Sequence, residues 1–188
     1  MTRDEAKVTG GRANEYRNVQ AVYAAHGKYV WLTLQRLGVA RSDLEDMCQE
    51  VFVVVHQRLD SYDPSARMTA WLFGICLRVA SGYRRRAHRR YESSTDMSAH
   101  DRTLGTQQDP GEQLEGREAS KLLYSLLDEL ELEKRSVFVM FEIDELPCAE
   151  IAEQLGIPTG TVYSRLHAAR KQLTELAARM RARGGPDG

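Results

Sequence analysis

The sequence predicts an all-α protein: two small helical-bundle domains, residues 1–90 and 119–188, joined by a flexible linker over 91–118, the second domain containing a helix-turn-helix. Three observations predict it. No stretch sustains a period-two alternation, and apolar residues recur instead at three and four. The segment "YESSTDMSAHDRTLGTQQDPGEQLEGRE", residues 91–118, has almost no large apolar side chains, so it cannot bury enough to offset its ordering entropy. The segment "IAEQLGIPTGTVYSRLHAARKQL", residues 151–173, carries the parts of two helices around a tight turn.

The totals fit this division. A chain of 188 residues has room for one medium domain or two small ones. Its longest apolar run, Val51 to Val55, is far short of the roughly 20 residues that a membrane-spanning helix needs. The N-terminal stretch "MTRDEAKVTGGRANEYRN" lacks the apolar core of a secretory signal, so the chain is expected to be cytoplasmic, with no membrane insertion. Cys48, Cys76 and Cys148 lie far apart and form no CxxC pair, which argues against a disulfide framework or a zinc site. They read as three small buried hydrophobes, with redox sensing as the competing reading. No metal and no cofactor are expected.

The net charge of -1 hides a segregation. Arg84, Arg85, Arg86, Arg89 and Arg90 form one basic block, and Arg165, Arg170, Lys171, Arg179, Arg181 and Arg183 form another. Residues 91–158 between them are mostly acidic. Two basic zones in a neutral chain suggest two separate contacts with a polyanion.

In the first domain, Val19, Val22, Tyr23, Val30, Leu34 and Leu37 give a helical stripe over 16–38, with Gly27 as a break and Gly38 as a stop. Ser42 and Glu45 read as a capping box, after which Leu44, Met47, Cys48, Val51, Val55 and Leu59 follow one face. Asp63 and Pro64 in "YDPSA" suit a turn. A third helix follows over about 69–90, with Leu72, Ile75, Cys76, Val79 and Tyr83 as its inner stripe.

In the second domain, residues 119–130 and 134–145 are amphipathic, the latter through Val137, Met140, Phe141 and Ile143. Pro147 ends that segment and opens the next. The helix Cys148 to Leu155 stops at Gly156, a residue able to take the left-handed conformation; Ile157 plugs the turn, Pro158 blocks continuation, and Thr159 is a cap. Val162, Leu166, Ala169, Leu173 and Leu176 face inward on the last helix. Gly160, Ser164, His167, Ala168 and Lys171 then face out, flanked by Thr161, Arg165 and Arg170. Arg165 suits a guanine edge, while Arg170 and Lys171 suit phosphates. As a metal ligand His167 has no Cys or His partner at ligand spacing.

The first domain supplies a second surface. Trp71, Arg78 and Arg85 share a stripe apart from the buried one, beside the arginine block. An aromatic among cations suits unstacked bases and a single strand. Asp46, Gln49 and Glu50 on the preceding helix would repel DNA and are expected to dock on protein. A duplex reader, a melted-strand surface and a docking helix in one chain describe transcription initiation.

At these residues the likeness becomes specific. "DLEDMCQEVFVVVHQRLDSYDPSARMTAWLFGICLRVASGYRRR" resembles region 2 of a bacterial sigma factor of the extracytoplasmic-function group. "LLDELELEKRSVFVMFEIDELPCAEIAEQLGIPTGTVYSRLHAARKQL" resembles region 4 of the same group. The resemblance implies that Asp43 to Phe52, with Asp46, Gln49 and Glu50 outermost, docks on the clamp helices of the β' subunit of core RNA polymerase. It implies that Tyr62 to Arg67, with Asp63, captures a flipped base of the promoter -10 element. Trp71 and the helix after it, with Arg78, Arg84 and Arg85, would engage the opened strand. Thr161 to Lys171, with Ser164, Arg165, His167 and Arg170, would read the -35 element. The polymerase β flap and an anti-sigma factor are further implied partners, and the linker would thread toward the polymerase active-site cleft.

Two residues depart from the family pattern: Arg78 stands where Asn is common, and Gly82 where Asp is common. Arg78 lacks the acceptor of an Asn amide, and Gly82 weakens a helix by about 1 kcal/mol relative to Ala, which would favour a bend. The competing readings are a stand-alone helix-turn-helix repressor or activator, which needs no docking face, and a recombinase using Tyr83. Tyr83 fits the inner stripe and has no acid or base cluster beside it, so no enzyme activity is expected.

Overall fold

The structure, a computed structural model, describes residues 18–93 and 114–183. Among the described residues there are seven α-helices and no strand. They divide into two compact units, 18–35 with 42–93 and 36–41 with 114–183.

In the first unit, α1 spans Val19–Arg36 and buries Val22, Val30, Thr33 and Leu34. Asn18 caps it, its side-chain oxygen accepting the backbone N–H of Ala21 at 2.8 Å. The expected break at Gly27 does not occur. A glycine inside a helix costs about 1 kcal/mol relative to Ala, less than the burial of the valines and leucine on either side contributes. Tyr23 also departs from expectation: it is 61% exposed rather than part of the inner stripe. Gly38, after the helix, has φ 89°, as its role as a stop requires.

A 3-10 turn over Arg41–Asp43 leads into α2, Leu44–Arg58, which buries Leu44, Val51 and Val55. The expected capping box is absent: Asp43, not Ser42, occupies the cap position, and its side chain makes no cap bond. A second 3-10 turn, Leu59–Ser61, precedes the loop to α3, Met68–Ser93. Leu72, Ile75, Cys76 and Val79 of α3 are buried with Phe73 and Ala80. The helix runs uninterrupted through Gly82.

In the second unit, α4 spans Leu114–Asp128 and α5 spans Leu132–Phe138. The residues read as linker are thus helical at both margins, to Ser93 and from Leu114; the rest of that segment lies outside the described residues. The single helix expected over 134–145 instead changes pitch, because Val139–Ile143 form a π turn. The N–H of Asp144 reaches back to the Val139 carbonyl at 3.0 Å. Glu145 follows at φ 53°, which costs a non-glycine residue about 1–2 kcal/mol, and Leu146 beyond it is buried. Helix α6, Cys148–Leu155, opens after Pro147 at its cap position, and α7, Thr159–Arg183, packs across α5 and α6. Val137, Met140, Ile151, Val162, Leu166 and Ala169 fill the core. Arg135 is buried among them at 1% exposure, with Nη1 2.9 Å from Oδ1 of Asp128.

Candidate docking and nucleic-acid surfaces

The α2 face divides into two stripes. Asp46, Gln49 and Val53 are exposed; Val53 is 55% exposed and was not singled out by sequence. The signal for it was present, because in "VFVVV" only Val51 and Val55 share the helix face that the core can cover. Beside this stripe lie Asp43, Met47 and Glu50. The hydroxyl of Tyr83 donates to Oδ2 of Asp43 at 2.8 Å, and Nη2 of Arg86 is 3.2 Å from Oε2 of Glu50. Phe52 points to the opposite side of α2, where its ring meets Tyr23 edge to face at 4.9 Å.

The loop before α3 is ordered by its own polar groups. Oδ1 of Asp63 accepts the N–H of Ser65 at 2.9 Å, and its carbonyl accepts the N–H of Ala66 at 3.0 Å. The Ser65 backbone N–H, and then its side chain, hold the Asp63 carboxyl below the usual carboxylate range. The Tyr62 hydroxyl donates to the Ala66 carbonyl at 2.6 Å, and its ring lies 5.2 Å from that of Trp71. Tyr62, Asp63 and Trp71 are therefore brought together, with exposed Arg67 at the loop's end. Further along α3, Leu77, Arg78, Ser81 and Arg85 line a shallow cleft. Arg78 and Arg85 are exposed, Arg84 is half-buried, and Nη1 of Arg85 donates to the Ser81 hydroxyl at 3.1 Å.

In the second unit, Gly156 has φ 63° and ψ 37°. The N–H of Ile157 reaches the Ala152 carbonyl at 3.0 Å, closing α6 in a Schellman motif. The Pro158 carbonyl accepts the first N–H bonds of α7, so Thr159 is the first helical residue and not the cap that the sequence suggested. Val162, Leu166 and Ala169 are buried, while Gly160, Ser164, His167 and Lys171 are exposed. Thr161 and Arg165 flank them, half-buried. Tyr163, 60% exposed on the same face, is an additional candidate that a search for charged groups overlooks. Arg170 is engaged within its own unit: Nε lies 2.6 Å from Oε1 of Glu142, and the guanidinium sits 5.2 Å over the Phe141 ring.

Residues 22–90 match the family model for sigma-70 region 2, and residues 120–173 match that for sigma-70 region 4. The chain is 32% identical over 171 residues to the ECF RNA polymerase sigma factor SigL of Mycobacterium tuberculosis, covering 89% of this chain and 93% of SigL. The chain belongs to the extracytoplasmic-function group of sigma-70 factors.

This sigma factor is also 30% identical over 155 residues to SigE of Mycolicibacterium smegmatis, where the match covers 82% of this chain and 59% of SigE. Among solved structures, CnrH in complex with the cytosolic domain of CnrY is similar at a TM-score of 0.60 and 25% identity, over 93% of this chain and 94% of that one. The sigma factor RpoE from Bartonella quintana, in complex with the anti-sigma factor NepR, has the same fold at a TM-score of 0.70 and 18% identity, over 85% of this chain and 96% of that one. The region 2 match contains the α2 face and the α3 surface of this sigma factor; the region 4 match contains the helix-turn-helix.

Among the described residues of this sigma factor no disulfide forms: Cys76 and Cys148 are buried, whereas Cys48 is only partly so. Burial pushes the Cys48 thiol up to about 11, which disfavours the reactive thiolate. Among the described residues no three His, Cys, Asp or Glu side chains converge as a metal site, and no helix is long and apolar enough to cross a membrane.

Proposed function

We propose that this sigma factor directs bacterial RNA polymerase to specific promoters and initiates transcription there, as a cytoplasmic, dissociable subunit without catalytic residues. The observation that carries the reading is the pairing, in one chain, of an exposed carboxylate and amide face on α2 with a helix-turn-helix on α6 and α7. An acidic face gains nothing against DNA and much against a cationic protein surface. On this reading residues 1–90 form the region 2 domain, 91–118 the linker and 119–188 the region 4 domain.

Asp43, Asp46, Gln49, Glu50 and Phe52 then meet the β' clamp helices. Tyr62, Asp63 and Arg67 capture a base, and Trp71 with Arg78, Arg84 and Arg85 holds the opened -10 strand. Unstacking a base costs a few kcal/mol, which stacking on the Tyr62 and Trp71 rings and the nearby cations offset. Thr161, Ser164, Arg165, His167, Arg170 and Lys171 occupy the major groove of the -35 element, with the β flap supporting the second domain. Solved relatives are bound to CnrY and to the anti-sigma factor NepR, which supports an anti-sigma factor as the partner that restrains this chain.

The test is transcription by core RNA polymerase on a promoter selected from genomic fragments. Promoter-directed initiation that depends on this chain is expected. Tight operator-like duplex binding by the chain alone, without any initiation, would instead favour the stand-alone repressor or activator.

A further inference from the structure

The geometry points to Tyr83 and Arg86 as positioning residues for polymerase docking: they brace two carboxylates of the α2 face from beneath. The inference rests on the docking role proposed above.

Asp43 sits at the cap position of α2, where an aspartate ordinarily accepts a backbone N–H two or three residues on. It makes no such bond. Both of its oxygens are engaged elsewhere: the Ser42 hydroxyl is 3.2 Å from Oδ1, and the Tyr83 hydroxyl donates to Oδ2 at 2.8 Å. The helix thus forgoes its own cap and aims this carboxylate at α3.

Three positions along the α2 stripe repeat the arrangement. Asp43, Met47 and Glu50 are spaced four and three apart, so they share one face. Nη2 of Arg86 lies 3.5 Å from the Met47 sulfur and 3.2 Å from Oε2 of Glu50. Tyr83 and Arg86 are themselves three apart on α3, so a single face of that helix holds both acids. Gly82 adjoins them. A Cβ there would lie 3.6 Å from Nη1 of Arg86, an ordinary van der Waals contact, so the guanidinium's place does not depend on the glycine.

The exposed stripe Asp46, Gln49 and Val53 runs alongside, and Asp43 and Glu50 form its braced edge. A carboxylate already held in one rotamer loses less freedom when a partner's cation arrives. Tyr83 and Arg86 therefore act through Asp43 and Glu50, without themselves needing to touch polymerase.

The experiment measures binding of the full-length chain to core RNA polymerase by fluorescence anisotropy, without DNA. Tyr83→Phe and Arg86→Gln are each compared with the wild type and with the same change placed in Asp43→Ala and Glu50→Gln backgrounds, respectively. We expect each single change to weaken binding about three- to tenfold, the scale of a lost hydrogen bond to a charged group after partial solvent compensation. Arg86→Lys should recover most of the loss. In the Asp43→Ala background, Tyr83→Phe should have no further effect, and the same holds for Arg86→Gln with Glu50→Gln.

Wild-type binding by Tyr83→Phe and Arg86→Gln overturns the brace. So does an equal loss with and without the acidic partners, which would mark a purely structural role; thermal melts by far-UV circular dichroism identify variants that have simply unfolded. If Asp43→Ala, Asp46→Ala and Glu50→Gln all bind as the wild type does, the docking role itself has failed and the brace falls with it.

Discussion

The ion pair between Asp128 and Arg135 allows an asymmetric prediction. The two side chains meet at 2.9 Å, but Arg135 is 1% exposed and Asp128 is 35% exposed. Removing either partner breaks the same bond and leaves a different remainder. Asp128→Ala strands a guanidinium inside the second unit without its carboxylate. Breaking a buried pair this way costs about 3–5 kcal/mol, and we expect about 3, since the guanidinium keeps its other contacts. Arg135→Met preserves most of the buried stem and leaves a carboxylate that water can reach, so its expected cost is about 1–2 kcal/mol, close to one charge-assisted hydrogen bond.

In a domain of this size each kcal/mol moves the melting temperature by about 4–8 °C, so the two variants should be clearly separated. Urea unfolding followed by far-UV circular dichroism measures the difference. Both tryptophans, Trp31 and Trp71, are in the first unit, and their fluorescence supplies a reference for it. If Arg135→Met proves more destabilising than Asp128→Ala, burial of the leftover charge does not govern this pair and the reasoning is refuted.

Three further outcomes are expected. The Thr33 hydroxyl is fully buried and has no hydrogen-bond partner among the described residues; Thr33→Val should therefore stabilise the first unit by about 1 kcal/mol, and a lower urea midpoint would contradict this. Gly156→Ala puts a Cβ on a left-handed residue and should cost about 1 kcal/mol, read as a lower melting temperature together with weaker duplex binding. With its folded pKa raised above the ordinary 9.0 to about 11, Cys48 should resist alkylation by iodoacetamide at neutral pH. The stability linked to its raised pKa should be present below pH 9 and lost as pH rises toward 11; fast alkylation at pH 8, measured by mass spectrometry of the modified peptide, would contradict the burial argument.

Features set by neighbours in sequence were legible, and those set across the fold were not. The Gly156 turn and the inward positions Val162, Leu166 and Ala169 follow from helical period and backbone sterics and stand as read, while Leu173 and Leu176 of the same stripe are only half-buried. Ser42 and Glu45 have the spacing of a capping box, but Tyr83, forty residues away, draws Asp43 into a different arrangement. Gly27 reads as a break only until the burial of Val22, Val30 and Leu34 is counted. Tyr23 matched the stripe by spacing, yet its ring instead lies against Phe52 outside the core. Among the candidate site residues, the loop chemistry at Asp63 was readable. The capture of Arg170 by Glu142, across twenty-eight residues, was not.

The π turn at Val139–Ile143 makes chain length itself a variable here. It takes up one residue more than an α-helical turn would, so removing one of the five would let regular winding resume and leave the residues beyond it close to their present bearing around the axis. Elsewhere in a helix the loss of one residue turns everything downstream by about 100°. This segment is thus the place where the second unit can lose a single codon without redirecting the duplex-reading hairpin that follows.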